Sequence, residues 1–303
     1  MFSNEISKKL SSTVNKLAEV CEGNSADAAL CQDRLPSLAD IRKIIDILWQ
    51  ILFPELFYER SMASRLEYRI GVDVDRLFLL LQGQISRGLS QNVLDQKEAE
   101  AIEEKAAELA ARVVEQLPEL KRMINTDIHA ILRKDPAAGD EIEIILCYPS
   151  VKAMLHHRFA HLMIGMGIPF LPRTIAELSH SLTGIDIHPG ARIGEYFAID
   201  HGTGVVIGET CIIGNNVTIY QGVTLGAKSF SYDESGVPVN IPRHPIIEDN
   251  VTIYSYASVL GRITIGHDSI IGGNLWVTQD VAPFSRLVQG GMRHETYRDG
   301  AGI

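Results

Sequence analysis

The chain has 303 residues, of which 46% are hydrophobic and 22% are charged, and its formal net charge is −10 at pH 7. This composition excludes a mainly disordered protein, and the length predicts about two domains. The negative charge disfavours binding to nucleic acid or to an anionic membrane surface. No apolar run is long enough to predict a membrane-spanning helix, and the N-terminal residues lack the apolar core of a secretory signal.

The cysteine spacing predicts a reducing location. None of the four cysteines belongs to a C-x-x-C pair, so the sequence predicts neither a zinc site nor a dense disulfide framework. A cytoplasmic protein is therefore expected. The four residues are Cys21, Cys31, Cys147 and Cys211.

The glycines divide the chain into two parts. Residues 184–303 hold 18 of the 25 glycines, and residues 1–183 hold only 7. Because glycine permits compact turns that other residues resist, the two parts are expected to have different architectures.

Apolar spacing in the first part predicts helices. Apolar residues three and four apart predict a helix over 39–53, which Pro54 ends. A further break is expected at Lys134-Asp135-Pro136. The other predicted helical stretches cover 63–88, 93–116, 119–133 and 149–180. Histidines in the last stretch are interpreted as packed or surface residues; they are His156, His157, His161 and His180.

An aliphatic residue recurs every six positions in the second part. One slip and one insertion interrupt the series, which is otherwise in phase and predicts a solenoid of short strands with three strands to a turn. The insertion, 226–242, is polar and is predicted to be an excursion loop. The series comprises Ile187, Ile193, Ile199, Ile207, Ile213, Ile219, Leu225, Ile241, Ile247, Ile253, Val259, Ile265, Ile271 and Val277.

Several motifs in this part resemble those of the serine O-acetyltransferases. They are DIHP at 186–189, DHGTG at 200–204, GET at 208–210, QGVTLG at 221–226 and RHP at 243–245. The resemblance implies an α+β protein with an all-helical N-terminal domain (1–183), a left-handed parallel β-helix (184–281) and a C-terminal tail (282–303). It also implies transfer of acetyl from acetyl-CoA to the hydroxyl of L-serine, in cysteine biosynthesis.

His201 is the candidate general base. An imidazole, with an ordinary pKa of about 6.5, can take a hydroxyl proton at neutral pH. Asp186 lies fifteen residues earlier, close to one solenoid turn, so its carboxylate is expected to orient the ring. Cys211 stands where a small inward-facing residue belongs, so we interpret it as a packing residue rather than a nucleophile.

The resemblance also implies the remaining site residues and partners. It implies that carboxylates and cations bind the acceptor, that acetyl-CoA lies along the solenoid wall, and that no metal is needed. It also implies that the site lies between subunits of a homotrimer or of a dimer of trimers. L-cysteine is expected as a feedback inhibitor, and the C-terminal Ile303 as a ligand of O-acetylserine sulfhydrylase. The substrate residues are Asp135, Asp200, Arg243 and His244, and the coenzyme residues are Gly226, Ala227 and Ser255.

Three alternatives remain open at this point. The first is a hexapeptide acyltransferase with another acceptor, such as homoserine, a sugar or an antibiotic. The second is a zinc-dependent carbonic anhydrase on the same solenoid, although its candidate ligands show no clear spacing. The third is a scaffold without catalysis. The candidate zinc ligands are His188, His201, His244 and His267.

Overall fold

A computed structural model describes residues 4–23, 35–58, 66–90 and 96–290. Within these ranges the chain forms eight α-helices followed by fourteen short strands. None of these helices combines the length and the apolar character needed to cross a membrane. The helices are α1 (Asn4–Gly23), α2 (Leu38–Leu52), α3 (Leu66–Leu89), α4 (Gln96–Glu115), α5 (Leu117–Lys134), α6 (Glu141–Cys147), α7 (Pro149–Gly165) and α8 (Leu171–Thr183).

The helix bounds follow local sequence signals. Ser37 caps α2 by accepting a hydrogen bond from the Asp40 amide, and α5 ends at Lys134, directly before Asp135-Pro136 as predicted. The starts expected at residues 63 and 93 both lie outside the described residues. The stretch predicted as one helix over 149–180 is two helices, because the chain turns at Gly167 with φ +73° and continues through Pro169. The apolar pattern missed α6, which Asp140 caps.

The strands form a triangular solenoid of three parallel sheets. Successive turns add one strand to each sheet, except that the last turn adds a strand to only two of them, so the sheets have five, four and five strands over about five turns in the described residues. This confirms the predicted fold class, a helical region followed by a left-handed parallel β-helix. The strands are β1 (Asp186–Ile187), β2 (Arg192–Ile193), β3 (Ala198–Asp200), β4 (Val206–Ile207), β5 (Ile212–Ile213), β6 (Thr218–Tyr220), β7 (Thr224–Gly226), β8 (Ile246–Ile247), β9 (Thr252–Ile253), β10 (Ser258–Leu260), β11 (Thr264–Ile265), β12 (Ile270–Ile271), β13 (Trp276–Val277) and β14 (Arg286–Leu287).

The inward positions of the six-residue series form the solenoid core, with one correction. Ile241 was predicted to point inward, but its surface is 43% exposed and it belongs to no strand. Ile207 pairs with Leu225, 18 residues on, whereas Leu225 pairs with Val259, 34 residues on. The difference is the inserted loop, so the inward series resumes at Ile247 rather than at Ile241.

Two compact units can be distinguished in the chain. One comprises Met1–Glu115 with Met166–Leu171, and the other comprises Gln116–Gly165 with Pro172–Ile303. Helices α5, α6 and α7 therefore belong to the same unit as the solenoid. The domain bounds at 183 and 281 remain a prediction from the sequence.

The helical histidines divide between core and surface. His156 and His157 are buried in α7, while the His180 side chain is 46% exposed. Burial is the main cause that lowers the pKa of His156 to about 4 and that of His157 well below its ordinary value. Both rings are therefore neutral packing residues at pH 7.

Candidate active site

His201 lies at a corner of the solenoid, immediately after β3. Its backbone is in the left-handed region, with φ +58°, and its side chain is 72% exposed. The next residue, Gly202, has φ +86°, and a side chain there would overlap Ile185 in the neighbouring segment. The turn therefore holds the imidazole outward, where a substrate can reach it. Its Nδ1 atom is 3.9 Å from a carboxylate oxygen of Asp200.

A second carboxylate, Asp135, follows the end of α5. The Tyr148 hydroxyl donates to one of its oxygens at 2.6 Å, and the Ala137 amide donates to the other at 2.8 Å. These two hydrogen bonds are the main causes that lower the Asp135 pKa, and the nearby His201 lowers it further. We refer to Asp135, Tyr148, Asp200 and His201 as the acidic half-site. Its carboxylates suit a cationic group such as an ammonium.

Asp186 lies in β1, at the same end of the solenoid as His201. The backbone that follows His201 pairs with the chain around Asp186: the Gly204 amide donates to the Gly184 carbonyl at 2.8 Å, and the Asp186 amide donates to the Val205 carbonyl at 2.9 Å. Over the described part of the chain, no hydrogen bond or ion pair joins the Asp186 and His201 side chains. The catalytic dyad therefore remains a prediction.

Arg243 and His244 form a second cluster with two residues of the preceding coil. The Arg243 guanidinium donates to a Glu209 carboxylate oxygen at 2.8 Å. The His244 Nδ1 atom accepts a hydrogen bond from the Thr210 amide at 3.0 Å. Burial tends to raise the Glu209 pKa, but hydrogen bonds from Arg243 and Asn240 outweigh it and leave the pKa lowered. We refer to Glu209, Thr210, Arg243 and His244 as the basic half-site, because Arg243 can bind a carboxylate.

Sequence reasoning assigned no role to three of these residues. Glu209 and Thr210 belong to the GET motif at 208–210, which draws attention to these positions. The motif does not show which side chains they contact. No sequence pattern singles out Tyr148, because its hydrogen bond to Asp135 depends on how α5 and α7 are placed in the fold.

The two half-sites lie at different corners of the triangular solenoid within one chain, because His201 lies between β3 and β4 whereas Glu209 and Thr210 lie between β4 and β5. No hydrogen bond or ion pair joins a member of one to a member of the other among the residues that the structure describes. A single chain therefore presents carboxylates with a base at one place and a cation with an imidazole at another.

The residues expected to bind the coenzyme lie on later turns. Gly226 ends β7 and pairs with Leu260, while Ser255 lies in the turn between β9 and β10. Ala227 follows Gly226 and is half-buried. Ile303, expected to bind a partner, lies outside the described residues.

Cys211 is enclosed in the solenoid core. Its residue surface is 0% exposed, and burial is the main cause that raises the pKa of its thiol to about 12. Since the thiolate is the nucleophile, the thiol is inert at neutral pH.

We expect native Cys211 to resist alkylation by iodoacetamide at pH 8, while Cys147 on the surface reacts. Peptide mapping by mass spectrometry measures both cysteines in one sample, so Cys147 serves as the internal control. Denaturant should make Cys211 reactive, because unfolding removes the burial. Labelling of Cys211 in the folded protein at the rate of Cys147 would contradict the packing role.

Comparisons with known proteins first define the class. Residues 244–279 match the family model "Bacterial transferase hexapeptide (six repeats)". With the parallel solenoid and its exposed histidine, this match identifies a hexapeptide-repeat transferase.

Closer relatives then identify the family. The plasmid serine acetyltransferase of Synechococcus elongatus is 46% identical over 275 residues, which cover 89% of this chain and 86% of that protein. The serine acetyltransferase of Bacillus subtilis is 48% identical over 55% of this chain and 73% of that protein. A crystal structure of Entamoeba histolytica serine acetyltransferase isoform 3 in complex with cysteine superposes with a TM-score of 0.71 and 32% identity, covering 93% of this chain and 94% of that one. The chain belongs to the serine acetyltransferase family.

Proposed function

We propose that this enzyme transfers the acetyl group of acetyl-CoA to the hydroxyl of L-serine, forming O-acetylserine, with His201 as the general base. The observation that carries the proposal is the identity to a serine acetyltransferase along nearly the whole chain. The exposed His201 beside the Asp135 and Asp200 carboxylates supports it, because these groups suit an acceptor that carries both a hydroxyl and an ammonium.

The transfer is direct. The imidazole of His201 takes the hydroxyl proton of serine while the serine oxygen attacks the thioester carbonyl. The carbon–sulfur bond then breaks, and coenzyme A leaves as a thiolate that needs little help from an acid. In this scheme Asp186 orients His201 and stabilises its imidazolium form. No acetyl-enzyme forms, and the inert Cys211 is not required.

Both half-sites contribute to serine binding. Asp135 and Asp200 bind the ammonium, and Arg243 and His244 bind the carboxylate. Since a single chain keeps the two groups apart, we propose that they meet between neighbouring subunits of a homotrimer. Gly226, Ala227 and Ser255 contact acetyl-CoA along the wall beside this site.

The remaining expectations are proposals of the same kind. L-cysteine, which differs from serine only by sulfur in place of oxygen, fits the acceptor site as an inhibitor; the Entamoeba protein was crystallised with cysteine. Assembly into a dimer of trimers, a cytoplasmic location and binding of the sulfhydrylase through Ile303 remain predictions from the sequence.

Release of coenzyme A, followed with a thiol reagent, tests the function. We expect serine to accelerate release strongly over water, and homoserine or a sugar alcohol to have little effect, because the half-sites suit a small amino acid. Added L-cysteine should compete with serine. No acceleration by serine would contradict the proposal, and acceleration by a sugar alone would favour the alternative acyltransferase.

A further inference from the structure

Thr210 holds the side chain of His244 through its hydroxyl and its backbone. Its Oγ1 atom lies 2.9 Å from the His244 Nδ1 atom and accepts hydrogen bonds from the amides of Arg243 at 2.9 Å and His244 at 3.1 Å. A hydroxyl has one donor and two acceptor positions. All three are used when the hydroxyl donates to Nδ1, so Thr210 is fully engaged in placing these two residues.

The backbone of Thr210 determines which nitrogen of His244 carries the proton. An amide N–H can only donate, and the Thr210 amide is directed to Nδ1 at 3.0 Å. The Nδ1 atom is therefore an acceptor without hydrogen, and the proton of the neutral ring is on Nε2. Burial, with the neighbouring Arg243, lowers the His244 pKa to about 4, so the ring is neutral at pH 7.

Neighbouring groups hold His244 against the preceding coil. A side chain at Gly208 would overlap the edge of the imidazole that carries Cδ2 and Nε2, so the ring packs directly on the backbone of this glycine. Arg262 donates to the carbonyl of Thr210 at 2.8 Å and to that of His244 at 3.0 Å, which ties the two coils together.

We propose that Thr210 is a positioning residue for acetyl transfer: it fixes His244 as a neutral imidazole that donates from Nε2 to the carboxylate of the amino-acid acceptor. This rests on the proposed function for the identity of the acceptor. Because Nε2 already carries the proton and the Nδ1 lone pair accepts from the Thr210 amide, His244 takes no part as a base and leaves that role to His201.

Two variants distinguish the effect of the Thr210 hydroxyl from the effect of side-chain size. Thr210→Val keeps the shape and removes the hydroxyl, and Thr210→Ser keeps the hydroxyl. Thr210→Val removes the three hydrogen bonds of the hydroxyl that place Arg243 and His244. We expect it to raise the KM for serine about tenfold, with kcat and the KM for acetyl-CoA within about twofold of the parent. Thr210→Ser should restore most of the serine affinity. Thr264→Val on β11 is the matched control, since no hydrogen bond of the Thr264 side chain occurs in the described residues.

The tautomer is measured without any activity. Solid-state 15N NMR of the full chain with labelled histidine, assigned with His244→Asn, should show Nδ1 unprotonated and Nε2 protonated at pH 7. A protonated Nδ1 would overturn the proposal, as would an unchanged serine KM in Thr210→Val or an equal loss in Thr210→Ser. If serine is not a substrate, the parent enzyme shows this in the coenzyme A release assay, and the proposed function is then wrong. The NMR spectrum still shows which nitrogen of His244 carries the proton.

Discussion

Replacing His201 by asparagine is expected to lower kcat/KM for serine by about 10²- to 10⁴-fold, the usual contribution of a general base. Asparagine tolerates the left-handed backbone at this corner, where φ is +58°. The imidazole is 72% exposed, so its loss removes little packing. The thermal midpoint should therefore stay within about 2 °C, a shift corresponding to less than 1 kcal/mol in a protein of this size.

A matched control is His180→Asn, which replaces another exposed histidine, on α8. It should leave turnover unchanged. Retention of most activity by His201→Asn would remove this histidine from the mechanism.

Co-expression tests whether the two half-sites are shared between subunits. His201→Asn damages the acidic half-site, and Arg243→Ala damages the basic one. In the proposed homotrimer, assemblies that contain both variants are expected to recover part of the activity, because some sites then combine two intact halves. Mixtures no more active than either variant alone would place both halves of each site in one chain.

Replacing Arg158 by methionine is expected to destabilise the protein by about 3–5 kcal/mol. The guanidinium donates to both carboxylate oxygens of Asp127, at 2.7 and 2.8 Å, and also to the carbonyls of Ile193 and Gly194. Both charged side chains are buried. The substitution leaves a buried carboxylate with no counter-charge, which costs far more than a surface pair. A fall of about 10 °C in thermal midpoint is expected.

Arg122 provides the control for this prediction. It also pairs with two carboxylates, Glu119 at 2.6 Å and Glu195 at 2.9 Å, but its side chain is 49% exposed. Arg122→Met should lower the thermal midpoint far less than Arg158→Met, because an exposed ion pair is screened by water. The double variant Asp127→Leu/Arg158→Met should recover much of the stability, because it removes both buried charges. Equal midpoints for Arg158→Met and Arg122→Met would contradict a structural role for the buried pair.

Much of the fold was predictable because its signals are local. The six-residue period sets which residues point inward, and twelve of the fourteen predicted positions are buried. Ile193 is half-buried, and Ile241, in the inserted loop, is exposed. The Lys134-Asp135 break likewise ends a helix where the sequence predicts it. The interruption between α7 and α8 was missed, because the apolar residues on both sides continue a helical pattern while the turn depends on Gly167.

The sequence alone determined the repeat, the family resemblance and the residue types expected in the site, since periodicity and motifs are properties of the linear chain. Only the tertiary structure showed that Glu209 and Thr210 hold Arg243 and His244, and that Asp127 pairs with Arg158. The reason is the offset between stacked coils. Thr210 and His244 are 34 residues apart, whereas residues paired between neighbouring coils without the inserted loop are 16 to 20 residues apart. The inserted loop sets this separation along the sequence. The six-residue repeat therefore does not predict which side chains meet across the two coils.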